Sequence, residues 1–567
     1  MPTAVPQLPD QSVHAHAAGA GPMLNAYPDS LGGRLEDIVA FLARSELRGV
    51  FESFYILPSL FHTDLDRGFS VIDYGLNRQL ASEADLHALR ALGVDLKLDF
   101  ILNHASVLSP QFQDLLARGD ESAYRDFFID WNRFWAGHGT MTREGYIQPD
   151  PALIRDMFFR KPGLPILFVR FPDGRDVPYW NTFYQSVHYD VPDRFHLMRA
   201  LGLQYGEADT LESLLRRELH AGVTPAAIDF GRLAPHRQAI VDLVESRRVY
   251  LGQMDLDIRS PKVWEFYEAT LAQLAAYGAS IVRLDAFAYA PKRVGKRNFL
   301  NDPETWECLE RVSAIARAHD LALLPEIHTA YGDRIHEAIA ARGYLTYDFF
   351  LPGLVIDALE RRTNEALLRW VADIQAKGLR TVNMLGCHDG IPLLDLKGLL
   401  TDEQIEALIA TVVARGGHVK DLHGQQHMYY QVNATYFSAL GEDEQKLLLA
   451  RAIQLFMPGK PQVWYLDLFA GTNDHAAVER AGSGGHKEIN RTNLTAADIE
   501  AGLERDVVKA QLELLRFRAQ CRAFGFDATL EVLPSARHEL VLRWRREGAT
   551  ATLEADLAAC TYRITEG

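Results

Sequence analysis

The stretch Ile281-Val282-Arg283-Leu284-Asp285-Ala286-Phe287-Ala288-Tyr289 decides how the rest of the chain is read. An apolar run rises into an arginine, with an aspartate two residues later. Side chains of a strand alternate between its faces, so Arg283 and Asp285 project to the same side. A charged pair at a strand end is costly to bury unless the charges serve each other. An arginine in that place holds the carboxylate ionised at neutral pH. An ionised, positioned carboxylate can be a nucleophile. Taken alone, the pair is as readily a structural cap on a strand.

Working outward, the pattern repeats. Leu323-Leu324-Pro325-Glu326-Ile327-His328 ends in an acid and a histidine, Met384-Leu385-Gly386-Cys387-His388-Asp389 in a His-Asp pair, and Asp99-Phe100-Ile101-Leu102-Asn103-His104 in an amide and a histidine. Functional side chains at the C-terminal ends of several strands are what a (β/α)8 barrel provides. Strands are predicted over residues 24–27, 49–57, 94–103, 280–287, 321–327, 346–351, 381–388 and 462–466. Helical spacing lies between them, over 81–92, 262–277, 306–319 and 364–377. The expected fold class is therefore α/β, a (β/α)8 TIM barrel.

The four strand-end motifs, DFILNH, RLDAFAYA, EIH and CHDG, match in order the signature regions of the alpha-amylase superfamily, glycoside hydrolase family 13. Further pieces resemble the sucrose phosphorylase group of that family. They are YPDSLGG (27–33), DRGFSVIDY (66–74), RLDAFAYAPKRVG, LPEIH, CHDGIP, YQVNATYFSAL (430–440), GTND (471–474) and EINR (488–491). The resemblance runs from about residue 22 to about 525, with one large interruption.

Composition narrows the class. A chain of 567 residues, 48% hydrophobic, can bury a large core without disulfides. A net charge of −16 argues against a nucleic-acid surface. Cys308, Cys387, Cys521 and Cys560 are widely separated, lack metal-ligand spacing and read as free thiols of a reducing compartment. No stretch is long and apolar enough to span a membrane, and the first two dozen residues have no basic region followed by an apolar one. The expectation is a cytoplasmic protein, monomer or homodimer, without membrane or nucleic-acid partners.

The predicted organisation is a mobile tail over 1–21, a catalytic barrel over 22–104 and 250–525, and domain B over 105–190. An unusual insertion covers 191–249, a loop insertion over the mouth covers 393–432, and a terminal β domain covers 526–567. The aromatic run 124–137 reads as the core of domain B. Helices are expected at 209–220 and 236–248 within the insertion. An inert surface insertion is the simplest account of 191–249; a lid or an oligomer contact is the alternative.

The resemblance implies a retaining double displacement, in which one carboxyl attacks the anomeric carbon and a second acts as acid, then base. On the matched positions Asp285 is the nucleophile, kept ionised by Arg283. Glu326 is the general acid/base, with a raised pKa, and Asp389 stabilises the transition state. His104 and His388 would bind hydroxyls of the glucosyl ring, Asp66 and Arg491 would grip its far side, and Phe69 and Tyr289 would supply apolar walls. Gln253 and Gln431 would contact the acceptor sugar. Inorganic phosphate would meet Tyr430, His328 and Arg160 or Lys161. Asn103 matches a calcium-binding position of many amylases, but one asparagine is no hard-cation site and the sucrose phosphorylase group does without calcium. No metal and no cofactor are expected.

Departures from the group's pattern bear on the leaving group. Relatives that use sucrose 6'-phosphate carry an extra arginine in the loop of Arg160 and a histidine at the position of Tyr430; here the first is present and the second is not. Met428 replaces an acidic residue and Thr492 the histidine of the usual NRH. One arginine can serve inorganic phosphate and does not demand a second phosphate, so sucrose is the expected donor. Sucrose 6'-phosphate, glucosylglycerol and glucosylglycerate are the alternatives. A hydrolase or transglucosidase that excludes phosphate, and a catalytically dead amylase-like binding protein, are readings from other classes.

Overall fold

The computed structural model describes residues 19–157, 159, 163–421, 429–482 and 485–567, with the backbone alone at 420, 421, 429 and 430. The chain divides into two compact units. One runs as far as Asn103 and resumes at Ile258; the other is His104–Arg155 with Phe159–Asp257.

The first unit is built on eight parallel strands: Met23–Ala26, Ser53–Ile56, Asp95–Ile101, Ala279–Asp285, Ala322–Pro325, Thr346–Asp348, Thr381–Met384 and Lys460–Trp464. Hydrogen bonding runs fifth-fourth-third-second-first-eighth-seventh-sixth, which is chain order read around a ring. This is the TIM barrel that the strand-end pattern predicts. Parallel strands covered on both faces read as near-continuous apolar runs, which is why all eight were visible. The first and eighth keep their predicted length but begin one and two residues earlier, and the other six end one to four residues before their predicted ends. The sixth stops at Asp348 because that carboxylate accepts the N–H groups of Phe350 and Leu351, starting the helix Leu351–Arg361. The helix Glu365–Lys377 buries Leu367, Trp370, Val371 and Ile374, one stripe at helical spacing, and ends on left-handed Gly378.

The barrel interior is not wholly apolar. Lys97, fully buried, donates to Gln462 Oε1 at 2.7 Å and to the Tyr347 hydroxyl, and lies 3.8 Å from the Tyr55 ring centroid. Burial holds it well below the usual lysine range. Two residues on, and therefore on the same face, stands Asp99.

Residues 393–432, expected as a loop, contain the helix Asp402–Ala414 and the strands His418–Asp421 and Tyr429–Asn433, which pair antiparallel. The terminal domain is a four-stranded antiparallel meander ending at Thr561–Glu566, tied to the barrel by Trp544 Nε1 donating to Phe456 O at 2.8 Å.

The second unit has an aromatic core containing Phe127, Phe128, Trp131, Phe134, Trp135 and Trp180, all buried. Residues 104 and 250–257, predicted as barrel, belong here. The strand Arg248–Asp255 pairs with His104–Ser106 on one side and Gln185–Tyr189 on the other. The segment 191–249 folds around its own apolar cluster, including Leu197, Leu211, Leu215, Phe230, Ile240 and Val244. Its long helix is Tyr205–His220, starting earlier than the predicted 209 because Gln204 and Glu207 form a capping box. The following helix is Arg237–Glu245. The two ends of this segment meet: Tyr189 pairs with Arg248, and Asp190 N donates to Arg247 O at 3.1 Å.

Candidate active site

At the end of the fourth strand Arg283, 3% exposed, reaches three carboxylates. Its Nη1 donates to Asp99 Oδ1 at 2.6 Å and Asp285 Oδ1 at 2.9 Å, and its Nη2 lies 2.5 Å from Glu326 Oε1. The planar fork of a guanidinium is what allows one side chain to serve all three. Asp99 is fixed from behind by the Tyr55 hydroxyl, at 2.8 Å. Ala286, immediately after Asp285, adopts the left-handed region at φ 51°, turning the chain off the strand as the carboxylate emerges.

The protonation pattern differs from expectation. Burial and repulsion from Glu326 push Asp285 well above the usual carboxylate range, although Arg283 opposes them. Burial also works against the charge of Glu326, but Arg283 and His328 outweigh it and hold that group low. From the sequence, Arg283 was expected to favour the charge on Asp285 and leave the proton on Glu326. The structure gives Glu326 two cationic neighbours, Arg283 and His328, and both favour its charge.

His328 Nε2 lies 3.5 Å from Glu326 Oε1, and its Nδ1 3.3 Å from Asp395 Oδ2. Burial disfavours its charge, yet Asp395 and Glu326 together push it up to about 10. Its ring stacks on Phe349, centroids 3.8 Å apart.

A second cluster surrounds Asp389. Lys487 Nζ lies 2.6 Å from Asp389 Oδ1 and 3.6 Å from Asp66 Oδ2. Arg491 is 3.7 Å from Asp66 and 3.9 Å from Asp389, and its Nε donates to His388 O at 3.0 Å. Burial opposes ionisation of Asp389, but the cations Lys487 and Arg491 hold it well below the usual range. Burial lowers His388 to about 3, leaving a neutral imidazole at pH 7. Phe69 stacks on that ring at 4.9 Å and lies beneath Arg283, 5.5 Å from ring centroid to guanidinium carbon, joining the two clusters. Asp66 and Arg67 are both left-handed (φ 48° and 49°), a turn that presents Asp66 to its cations. Gly68 follows at φ 125°, where a Cβ would come within 2.4 Å of Ser59 N.

Of the residues expected in the site, Asp66, Phe69, Arg283, Asp285, Glu326, His328, His388, Asp389 and Arg491 are therefore gathered. Tyr289 packs on Phe299 at 4.7 Å. Gln431 is buried in a strand pairing with Pro392 and Lys420, and neighbouring Asn433 donates to Asp389 O at 2.6 Å. His104 and Gln253 lie on paired strands of the second unit, with His104 4.9 Å from the Phe183 ring. Arg160, Lys161 and the side chain of Tyr430 lie outside the described residues. Asp99, Asp395 and Lys487 are the additions; only Asp99 lay in a motif whose strand-end position could have flagged it.

Asn103 Oδ1 accepts from Lys292 Nζ at 2.9 Å, so an ammonium stands at the oxygen that the resemblance aligns with calcium sites. Among the described residues, His336, Glu337 and Asp373 form the one group with metal-ligand proximity. Lys377 bridges its two carboxylates at 2.7 and 2.5 Å.

No family model matches the chain. It is 52% identical over 552 residues to the sucrose 6(F)-phosphate phosphorylase of Ilumatobacter coccineus, covering 96% of this chain and 95% of the relative. To the sucrose phosphorylase of Streptococcus mutans it is 31% identical, covering 96% and 97%. The crystal structure of a sucrose 6F-phosphate phosphorylase from Thermoanaerobacter thermosaccharolyticum superposes with a TM-score of 0.78 at 30% identity, covering 98% of this chain and 97% of that one.

Proposed function

The chain belongs to the sucrose phosphorylase group of glycoside hydrolase family 13, and from that membership we propose that it is a retaining α-glucosyl phosphorylase whose donor is sucrose 6F-phosphate. The observation that carries the reaction type is one guanidinium flanked by Asp285 and Glu326, with a cationic His328 beside the latter. Two carboxyls on either side of one arginine fork fit the short separation, about 5–5.5 Å, of a retaining pair.

The pair holds one proton, and coupled carboxyls titrate together. Donor binding brings the electron-poor anomeric carbon to Asp285 and the glycosidic oxygen, an acceptor, to Glu326. Both changes favour the proton on Glu326 and the charge on Asp285. Asp285 then attacks carbon 1 while Glu326 protonates the departing fructosyl oxygen. In the second half, Glu326, now a carboxylate, takes the proton of hydrogen phosphate as that oxygen bonds to carbon 1 and the ester bond to Asp285 breaks, its electron pair returning to the Asp285 carboxylate. Asp389, pinned by Lys487 and Arg491, stabilises the oxocarbenium-like transition state. The donor choice rests on the relative at 52% identity and puts the phosphorylated sugar ahead of the plain sucrose expected from the sequence. Plain sucrose remains the second reading, carried by the tyrosine at 430. Four free cysteines fit a cytoplasmic enzyme, acting as monomer or homodimer.

The test is a panel of donors (sucrose, sucrose 6'-phosphate, glucosylglycerol, glucosylglycerate) with and without inorganic phosphate, reading α-glucose 1-phosphate against free glucose. Phosphate-dependent consumption of sucrose 6'-phosphate at a kcat/KM at least about tenfold above sucrose is expected. Free glucose as the main product at saturating phosphate would move the protein to the hydrolases.

A further inference from the structure

Asp395 lies in the short turn Leu394–Leu396, is 1% exposed, and has no place in the reaction as derived above. Its Oδ2 is 3.3 Å from His328 Nδ1. The opposite ring nitrogen is 3.5 Å from Glu326, and the ring face lies on Phe349, itself stacked on Tyr347 at 4.8 Å. The imidazole is thus held at one edge, on one face and toward the acid/base. A carboxylate on Nδ1 fixes both the orientation of a histidine and the proton on that nitrogen, leaving Nε2–H as the donor on the far side.

We propose that Asp395 is a positioning residue that locks His328 as an imidazolium aimed at the acceptor, and so decides the partition of the glucosyl-enzyme between phosphate and water. A dianion gains from a fixed cation at close range, whereas neutral water gains little. Loss of the lock therefore weakens phosphate selectively. This rests on the phosphorylase reading and on His328 meeting phosphate.

The experiment compares wild type, Asp395→Asn, His328→Gln and the double variant. It measures KM for phosphate, kcat, and the ratio of glucose 1-phosphate to free glucose. Asp395→Asn is expected to raise phosphate KM about tenfold or more, with a smaller fall in kcat and a larger share of free glucose. In the His328→Gln background the second change is expected to add almost nothing. Equal loss of phosphorolysis and hydrolysis, an unchanged phosphate KM, or independent multiplication of the two effects would overturn the proposal. If Asp395→Asn does not fold, the wild-type ring decides by nitrogen-15 NMR with selectively labelled histidine. A His328 doubly protonated above pH 8 supports the lock, and a neutral ring at pH 7 overturns it. A wild type that releases free glucose regardless of phosphate would remove the functional reading and this inference together. A phosphorolytic wild type with an indifferent Asp395 removes this inference alone.

Discussion

Replacing Arg283 with lysine tests whether one forked cation organises the catalytic carboxylates. Arginine makes contacts of 2.6, 2.9 and 2.5 Å to Asp99, Asp285 and Glu326, through two different nitrogens. A lysine has one ammonium on a shorter reach and can hold one of the three well. Hydrogen bonds to charged groups contribute about 1.5–3 kcal/mol each, so losing two removes about 3–6 kcal/mol of interaction. At about 1.4 kcal/mol per factor of ten, full transmission to the transition state lowers kcat/KM by roughly 10²–10⁴. Whatever fraction is felt in the ground state appears instead as a lower melting temperature, because breaking one arm of a buried charge network leaves carboxylates uncompensated. The assay is initial-rate phosphorolysis at varied donor, paired with thermal unfolding followed by circular dichroism. A lysine variant within about tenfold of wild type in kcat/KM, melting at the wild-type temperature, would refute the shared-arginine account.

Asp285→Asn is expected to fold normally, since the amide is nearly isosteric, and to lose at least about a thousandfold in kcat because it cannot form the glycosyl ester; product assays at high enzyme concentration check this. His328 gives a pH signature. Its folded pKa, about 10, lies above the ordinary value of about 6.5, so its stabilising contribution is complete below pH 6.5 and is lost as pH rises through 10. The melting-temperature gap between wild type and His328→Gln should therefore shrink between those pH values, and a gap that widens with pH would contradict the assigned partners. Leu215→Ala, in the apolar cluster of the 191–249 segment, is expected to cost about 2–5 kcal/mol. Limited proteolysis should then cut first between residues 191 and 249, with the barrel fragments remaining intact.

The barrel was legible because strand and acid follow each other at every catalytic position. Ile281 to Asp285 is an apolar run with a period of two, and the polar residues mark where it ends. Asp395 and Lys487 were illegible for the opposite reason. Each sits in a short 3₁₀ turn with no periodicity, and only the folded path brings Asp395 to His328 and Lys487 to Asp389. Spacing along a strand places Arg283 beside Asp285 alone. The same guanidinium in three dimensions is closer still to Glu326, which also has His328. The helix start at Tyr205 was missed by four residues because Asp209 looked like a cap, whereas the reciprocal Gln204–Glu207 pair is a capping box in the sequence itself.

The segment from Val191 to Arg247 hangs from a single antiparallel ladder, with its first and last residues side by side. Such a segment has the topology of a hairpin tip, however much chain it contains. Closure entropy grows only with the logarithm of length, so a gene can lengthen, shorten or exchange the tip while Gln185–Tyr189 and Arg248–Asp255 keep their register. For the engineer the same junction is a splice point: cut between Asp190 and Arg247, bridged by a two-residue turn, the chain should accept either a minimal loop or a foreign reporter domain whose own termini lie close together.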